Sequence, residues 1–207
     1  MATLAQAAAT DATTGGRQGM IRPIPGSTSL VAPRNALSVA TPRPTFRWTA
    51  TPDQNYDLML RKIDGGRAEV FEVGTDTVWT LPDSVPDLER GATYQWTVFV
   101  GGRRGGRAVQ PVEDFRVITL LESVEIEDYL DEISVFGLDP KGDGLFLTLV
   151  AYLDLGLFYE AQDALDGVEA EGTLSWELYV LKGDILAQLG RENEARAAFD
   201  KANELAR

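Results

Sequence analysis

Residues 152–168, YLDLGLFYEAQDALDGV, and residues 186–202, LAQLGRENEARAAFDKA, repeat one pattern at a period of about 34 residues. Matched positions keep small or apolar side chains, and the matched pairs are Gly156 with Gly190, Ala161 with Ala195, Leu165 with Phe199, Val168 with Ala202 and Tyr152 with Leu186. A repeat of this length, built from two helices, cannot bury its apolar faces alone and stacks on its neighbours. The C-terminal third is therefore predicted to be an array of helical hairpins.

Helical periodicity defines the elements around this repeat. A lead helix is predicted to end near Gly137, and two helix pairs follow it, at 144–155 with 158–168 and at 174–189 with 192–205. Gly156 and Gly190 are predicted to form the tight turn within each pair. Ala161 and Ala195 are predicted to let the two helices of a pair approach closely, with Leu165 and Phe199 in the core between them.

These two helix pairs resemble tetratricopeptide repeats, with the family's small residue of the first helix present as Gly183 but replaced by Leu149 in the first pair. The resemblance implies a protein-binding groove lined by the first helix of each pair. Mapped residue by residue, that groove consists of Asp143, Phe146, Val150, Leu153, Asp154, Glu177, Val180, Asp184, Ala187 and Gln188. Two repeats are fewer than a free-standing array needs. The N-terminal domain or a neighbouring molecule is therefore expected to cover one end, and the alternative is that the groove packs against that domain.

Composition limits the chemistry that the chain can perform. Its 207 residues include no cysteine and no histidine, which removes disulfides, thiolate and imidazole metal ligands, and nucleophiles activated by histidine. We find no catalytic constellation among the acidic residues, so neither an enzyme nor a cofactor is expected. No apolar run approaches the roughly 20 residues that cross a bilayer, so membrane insertion is not expected either.

The net charge of −13 is unevenly distributed. The chain up to Thr119 contains 13 basic and 12 acidic residues, whereas the chain from Leu120 onward contains 6 basic and 20 acidic residues. Because the helical part is strongly acidic, it is not expected to bind nucleic acid. The acids are either a solvated face or a surface for a basic partner.

The central region, residues 28–119, has a periodicity of two instead of a helical one. Apolar residues alternate with polar ones around Phe46 and Trp48, from Tyr56 to Leu60, and again around Tyr94 and Trp96. Glycine- and proline-containing turns separate these runs. Short alternating runs between turns predict a β-sandwich with Trp48 and Trp96 in its core.

This region resembles a fibronectin type III domain. The resemblance rests on Leu88-x-x-Gly91-x-x-Tyr94-x-Trp96-x-Val98, preceded by Val78-Trp79-Thr80-Leu81, together with Phe46-Arg47-Trp48 and Phe115-Arg116-Val117. It implies that the Tyr94 hydroxyl bonds back to the backbone a few residues upstream, as a tyrosine corner.

Residues 1–27 are rich in Ala, Thr and Gly and lack an apolar period, so they are predicted to form an extended arm. The arm lacks the basic and apolar regions of a complete signal peptide, although residues 1–7 fit the end of one. Extended, it reaches about 90 Å. The stretch containing Met20, Ile21, Arg22 and Ile24 is the best candidate to add a strand to a neighbouring sheet.

Two glycine-containing loops suggest functions of their own. Residues 101–107, GGRRGGR, lack the context of a phosphate loop and are predicted to be a hairpin loop whose Arg103, Arg104 and Arg107 dock on acidic helices of a neighbour. Residues 139–144, DPKGDG, start like a calcium loop, but Lys141 stands at the third ligand position. A turn between helices is therefore the preferred interpretation, and no metal is expected.

The sequence thus predicts a multidomain β plus α protein, with an arm (1–27), a fibronectin-III-like sandwich (28–119) and a tetratricopeptide-like domain (120–207). The combination is similar to bacterial secreted or cell-envelope proteins. That likeness implies a non-catalytic protein that binds other proteins, above all further copies of itself in a head-to-tail filament or tubule. The alternative is a monomeric envelope adaptor that binds a separate protein in its groove. A weaker alternative is surface or carbohydrate binding through Trp79 or Trp176.

Overall fold

The computed structural model of the chain describes residues 28–101, 106–109, 111–172 and 174–207. Within these ranges nine strands precede five helices, which confirms the predicted β plus α class. The strands are β1 (Leu30–Ala32), β2 (Leu37–Val39), β3 (Thr45–Trp48), β4 (Tyr56–Lys62), β5 (Glu69–Gly74), β6 (Val78–Thr80), β7 (Thr93–Val100), β8 (Arg107–Ala108) and β9 (Glu113–Val117). The helices are α1 (Leu120–Val135), α2 (Leu145–Asp154), α3 (Phe158–Glu171), α4 (Trp176–Gln188) and α5 (Glu192–Leu205).

The strands form two sheets that share one core. The smaller sheet has the order β1-β3-β6, and the larger has the order β2-β9-β7-β4-β5, with β8 also paired to β7. All pairs are antiparallel except β2 with β9. Phe46 of the smaller sheet packs edge-on against Trp96 and Phe115 of the larger sheet, at ring-centroid distances of 5.0 and 5.7 Å. Trp48 and Trp96 are both buried, as predicted.

Two tyrosines near the starts of their strands form the same kind of local hydrogen bond. The Tyr94 hydroxyl accepts a bond from the backbone N–H of Glu89 at 2.8 Å, five residues upstream, as the sequence predicts. The Tyr56 hydroxyl accepts a bond from the N–H of Thr51 at 2.6 Å, also five residues upstream. Each bond satisfies a backbone donor where a loop turns into a long strand.

The repeat seen in the sequence corresponds to a repeated turn between helices. Gly156 and Gly190 have φ of 71° and 72°, a conformation that side chains with a Cβ disfavour. Leu157 N–H donates to the Tyr152 carbonyl at 2.8 Å, and Arg191 N–H donates to the Leu186 carbonyl at the same distance. These are the bonds of a Schellman C-cap, so both hairpins turn by one mechanism.

The two hairpins share one core, and they fill it differently. Ala161 and Ala195 are buried where the helices of each pair meet, as predicted. In the second hairpin a Cβ on Gly183 would lie 2.4 to 2.6 Å from three ring carbons of Phe199. The equivalent positions of the first hairpin, 149 and 165, are both leucine. The smaller residue on α4 therefore makes room for the larger residue on α5.

The sheets contact the helices at the hairpin turns. The sequence led us to expect instead that the N-terminal domain or a neighbouring molecule covers one end of the helical array. Residues 34–40, which include β2, run past both turns. Asn35 Nδ2 donates to the Gln188 carbonyl at 3.3 Å, and Ala40 N–H donates to Glu160 Oε1 at 2.6 Å. A small core closes the same junction: Ile118, Ile126 and Leu157. The reason is that β9 leads directly into α1, which holds the helices beside β2.

The turn before β2 carries a strained residue. Asn35 and Ala36 have φ of 61° and 56°, and Leu37 N–H donates to the Arg34 carbonyl at 3.2 Å. Positive φ at both central residues defines a type I′ turn, and asparagine tolerates it whereas alanine does not.

Replacing Ala36 with glycine should therefore raise the free energy of unfolding by about 0.5–1 kcal/mol, because relief of the strain exceeds the entropy that glycine adds to the unfolded chain. Chemical denaturation measures this change. Ala197→Gly, in exposed helix, is the control and should lower the free energy of unfolding by about 1 kcal/mol. A destabilising effect of Ala36→Gly would contradict the assigned strain.

Candidate functional site

The predicted groove residues lie on α2 and α4 or beside them, on a face that carries apolar and acidic side chains together. Most are exposed, and Val150 and Leu153 are half-buried. Phe146 is 57% exposed, which is unusual for so large an apolar side chain. The faces of α2 and α4 that pack inside the protein carry other residues: Leu145, Thr148, Leu149, Tyr179, Gly183, Ile185 and Leu186.

The sheets do not cover this face. Of the predicted groove residues, Gln188 contacts the sheet part through its backbone carbonyl, and its side chain remains exposed. Asp143, Asp154, Glu177 and Asp184 are also exposed to solvent. The surface is therefore available to another polypeptide, and its charge favours a basic one.

A concave surface, which the sequence did not predict, lies between α3, α4 and α5. This cleft of about 500 Å³ is lined mainly by polar residues: Gln162, Asp166, Glu169, Tyr179, Lys182, Leu186, Arg191, Glu194, Ala197, Ala198 and Lys201. Within this lining the Lys182 ammonium group contacts Asp166 at 2.6 Å and also Glu169. The residues come from three helices, so no local spacing pattern indicates them. The one indication that the sequence offers for this cleft is the spacing of Asp166 and Glu169, which lie three residues apart on α3.

Electrostatics in the cleft favour charged, mutually paired groups. Burial alone would raise the pKa of Asp166, but hydrogen bonds from Lys182 and Gln162 lower it below the ordinary value. Hydrogen bonds from Lys182 and Tyr179 likewise lower the pKa of Glu169. Burial lowers the pKa of Lys182, and its two carboxylate partners raise it further than burial lowers it. All three groups are thus held in their charged forms, an arrangement that joins α3 to α4.

Buried polar groups also occupy the junction between sheets and helices. The Tyr159 hydroxyl accepts a hydrogen bond from Arg34 N–H at 2.9 Å, and burial raises the pKa of this tyrosine. Glu113 Oε2 accepts from Asn35 N–H at 3.0 Å. Burial raises the pKa of Glu160, whose Oε1 is bonded to a backbone N–H while its Oε2 is buried and unbonded among the described residues. These contacts fix how α3 sits against β2.

The carboxylates of the turn at residues 139–144 accept hydrogen bonds from backbone N–H groups of the same turn. Asp143 Oδ1 accepts from the Asp139 N–H at 2.8 Å, and Asp139 Oδ1 accepts from the Lys141 N–H at 2.9 Å. Both acids therefore stabilise the backbone between α1 and α2. Over the part of the chain that the structure describes, no group of three or more acidic residues is arranged to hold a metal ion.

The remaining predicted site residues are placed as follows. Met20, Ile21, Arg22 and Ile24 of the arm, and Arg103 and Arg104 of the docking loop, lie outside the described residues. Arg107 begins β8 and is exposed. Trp79 is half-buried against Phe46 and Phe71, at 5.9 and 4.8 Å between ring centroids. Trp176, at the start of α4, is 45% exposed.

Comparison of the chain with protein-family models and with curated proteins finds no match to either. Among the described helices, none has the length and apolar content needed to cross a membrane. Arguments about function therefore rest on the surfaces themselves.

Proposed function

We propose that the chain is a non-catalytic interaction protein that assembles head to tail with copies of itself. The observation that carries this proposal is the exposure of Phe146 on α2 and of Val180 on α4, two helices that also carry exposed acids and that no described sheet covers at these residues. Exposed apolar patches with polar surroundings mark protein–protein contacts. A contact between two different surfaces of the same chain gives filaments where its rotation does not close into a ring.

The finer fold assignment belongs to this proposal. We infer a fibronectin-III-like sandwich from the two facing sheets and from the bond between Tyr94 and Glu89. We infer tetratricopeptide-like hairpins from the matching turns at Gly156 and Gly190. The placement outside the cell or in a bacterial envelope follows from this resemblance alone.

The first experiment is to measure the mass of the purified full-length chain by light scattering across a hundredfold range of concentration. Growth of the mean mass with concentration is expected, together with elongated particles by negative-stain microscopy. Because the complementary charges are screened by salt, assembly should weaken as the salt concentration rises. A monomer at every concentration would contradict self-assembly.

The monomeric adaptor is the second candidate, and the exposure of most of the predicted groove residues on α2 and α4 supports it. Its partner would be an extended or helical segment that carries basic and aliphatic side chains. A persistent monomer that nevertheless binds such a peptide, and loses binding on Val180→Glu, would support the adaptor over self-assembly.

A further inference from the structure

The outer face of α1 carries an exposed stripe of apolar and acidic side chains. Residues spaced three and four apart share one helix face, and the exposed residues on this spacing, here called the α1 stripe, are Leu121, Val124, Asp128, Asp131 and Val135. Leu121 is 68% exposed and Val135 is 84% exposed. The buried residues of α1, Ile126 and Ile133, lie on the opposite face. The α1 stripe is therefore a face that no described part of the chain covers.

The charges of α1 are strongly unbalanced. The helix contains six acidic residues and no basic one. Glu122 pairs with Arg116, whereas no ion pair to another described residue involves the other five: Glu125, Glu127, Asp128, Asp131 and Glu132. Like charges three or four residues apart, such as those of Asp128 and Asp131, repel one another and destabilise a helix. A basic occupant would remove this repulsion, and an apolar one would cover the leucine and valines.

One segment of the chain combines both properties. Residues 12–27 contain Arg17 and Arg22 and no acidic residue, and they also contain Met20, Ile21 and Ile24. The loop at residues 101–107 is also basic, but it consists of glycine and arginine and has no large apolar side chain. Residues 12–27 therefore complement the α1 stripe in both charge and apolar character, whereas the loop complements its charge alone.

The segment joins the fold at the end of the sandwich opposite to the start of α1. Ser29 N–H donates to Thr49 Oγ1 at 2.8 Å, in the loop that leads into β4 at Tyr56. At the other end of the sheet, Val117 N–H donates to the Ala92 carbonyl at 3.0 Å, just before β7, and α1 begins three residues later. Because β7 runs antiparallel to β4, these two points lie a strand length apart, about 20 Å.

We propose that residues 12–27 of one copy dock on the α1 stripe of the next copy. This inference rests on the proposed self-assembly and names the two surfaces that meet. A second copy that is shifted along the strand direction places its α1 near one end of the first copy's sandwich. This is the end at which residues 12–27 of the first copy join the fold. The segment then reaches its site without running back over its own sheets. Since the two surfaces differ, each copy can both donate its segment and receive the segment of another copy, so the contact can repeat from copy to copy.

Complementary charge reversals in the full-length chain test this contact. Asp128→Lys with Asp131→Lys reverses the α1 stripe, and Arg17→Glu with Arg22→Glu reverses the segment. Each double variant alone should require at least tenfold more protein to assemble than the parent chain, as measured by sedimentation velocity. An equimolar mixture of the two should recover assembly, because each segment then meets a stripe of opposite charge on the other variant.

The matched control is Glu192→Lys with Asp200→Lys, which changes charge equally at two exposed residues of α5 outside both the groove and the α1 stripe, and it should leave assembly unaltered. Circular dichroism confirms that each variant is folded. If the parent chain is monomeric, the proposed self-assembly itself fails. If the parent assembles and the α1 variant assembles equally well, this inference is overturned and self-assembly stands. If both variants are monomeric and their mixture stays monomeric, docking on a second copy is overturned. Loss of assembly in the α5 control as well would show that added positive charge alone prevents assembly, and it would overturn this inference.

Discussion

Replacing Gly183 with alanine should lower the free energy of unfolding by about 2 kcal/mol, the usual scale of overpacking a buried position, although alanine is the better helix former. The added Cβ would lie 2.4 Å from a ring carbon of Phe199, closer than side-chain atoms approach. A contact this short places the overpacking cost near the upper end of the usual range of about 1–3 kcal/mol, and the roughly 1 kcal/mol gained from helix propensity reduces the net loss to about 2 kcal/mol. Urea denaturation of the two proteins measures the difference.

Two further variants separate packing from helix propensity. Gly167→Ala, on α3, places a Cβ with no atom within 4 Å, so it should stabilise the protein by about 0.5–1 kcal/mol. In a Phe199→Leu background the ring is absent, and Gly183→Ala should become neutral or stabilising. Equal destabilisation by Gly183→Ala in both backgrounds would show that the ring is not the cause.

Replacing Glu122 with glutamine should lower the free energy of unfolding by roughly 2 kcal/mol at neutral pH. Glu122 receives two hydrogen bonds from the Arg116 guanidinium, each of 2.9 Å, and it also caps α1 through the Thr119 N–H at 2.7 Å. This side chain thus joins β9 to the first turn of α1. Glu125→Gln is the control on the same helix, because Glu125 is exposed and has no ion pair among the described residues. It should change stability by at most about 0.5 kcal/mol, as surface substitutions usually do.

The effect of Glu122→Gln should disappear in acid. Hydrogen bonds from Arg116 lower the pKa of Glu122 from 4.5 to about 2 in the folded protein. Because folding favours the charged form, the stabilisation is fully present above the pKa of the unfolded chain, and it is lost as the pH falls from about 5 to 2. Denaturation of both proteins at pH 7 and at pH 2.5 measures this change. A difference between them that is the same at both pH values would contradict the role of the charge.

The local pattern of apolar and polar residues predicted the helices and strands well, and the reason is physical. Strand alternation around Tyr94 and helix spacing around Ala161 each report which side of one element is buried. The positive φ of Gly156 and Gly190 follows from the need to reverse the chain within a few residues. The predicted helix boundaries lie within three residues of those observed.

The contacts between distant elements were not predicted. Lys182 meets Asp166 and Glu169 only because α4 packs beside α3, and nothing in the local sequence of any of the three specifies that neighbour. The same is true of Arg34 and Tyr159, which are 125 residues apart. Each pair depends on the faces that two separate elements present to one another.

The sequence by itself determined that alternating strands precede a repeated helical hairpin, that the helical part is acidic, and that histidine and cysteine chemistry is absent. Only the tertiary structure decided that the sheets contact the hairpin turns, so that the outer faces of α1, α2 and α4 remain exposed. Periodicity fixes which face of an element is apolar. It does not fix which element covers that face, because docking depends on shape and charge contributed by residues far apart in the chain.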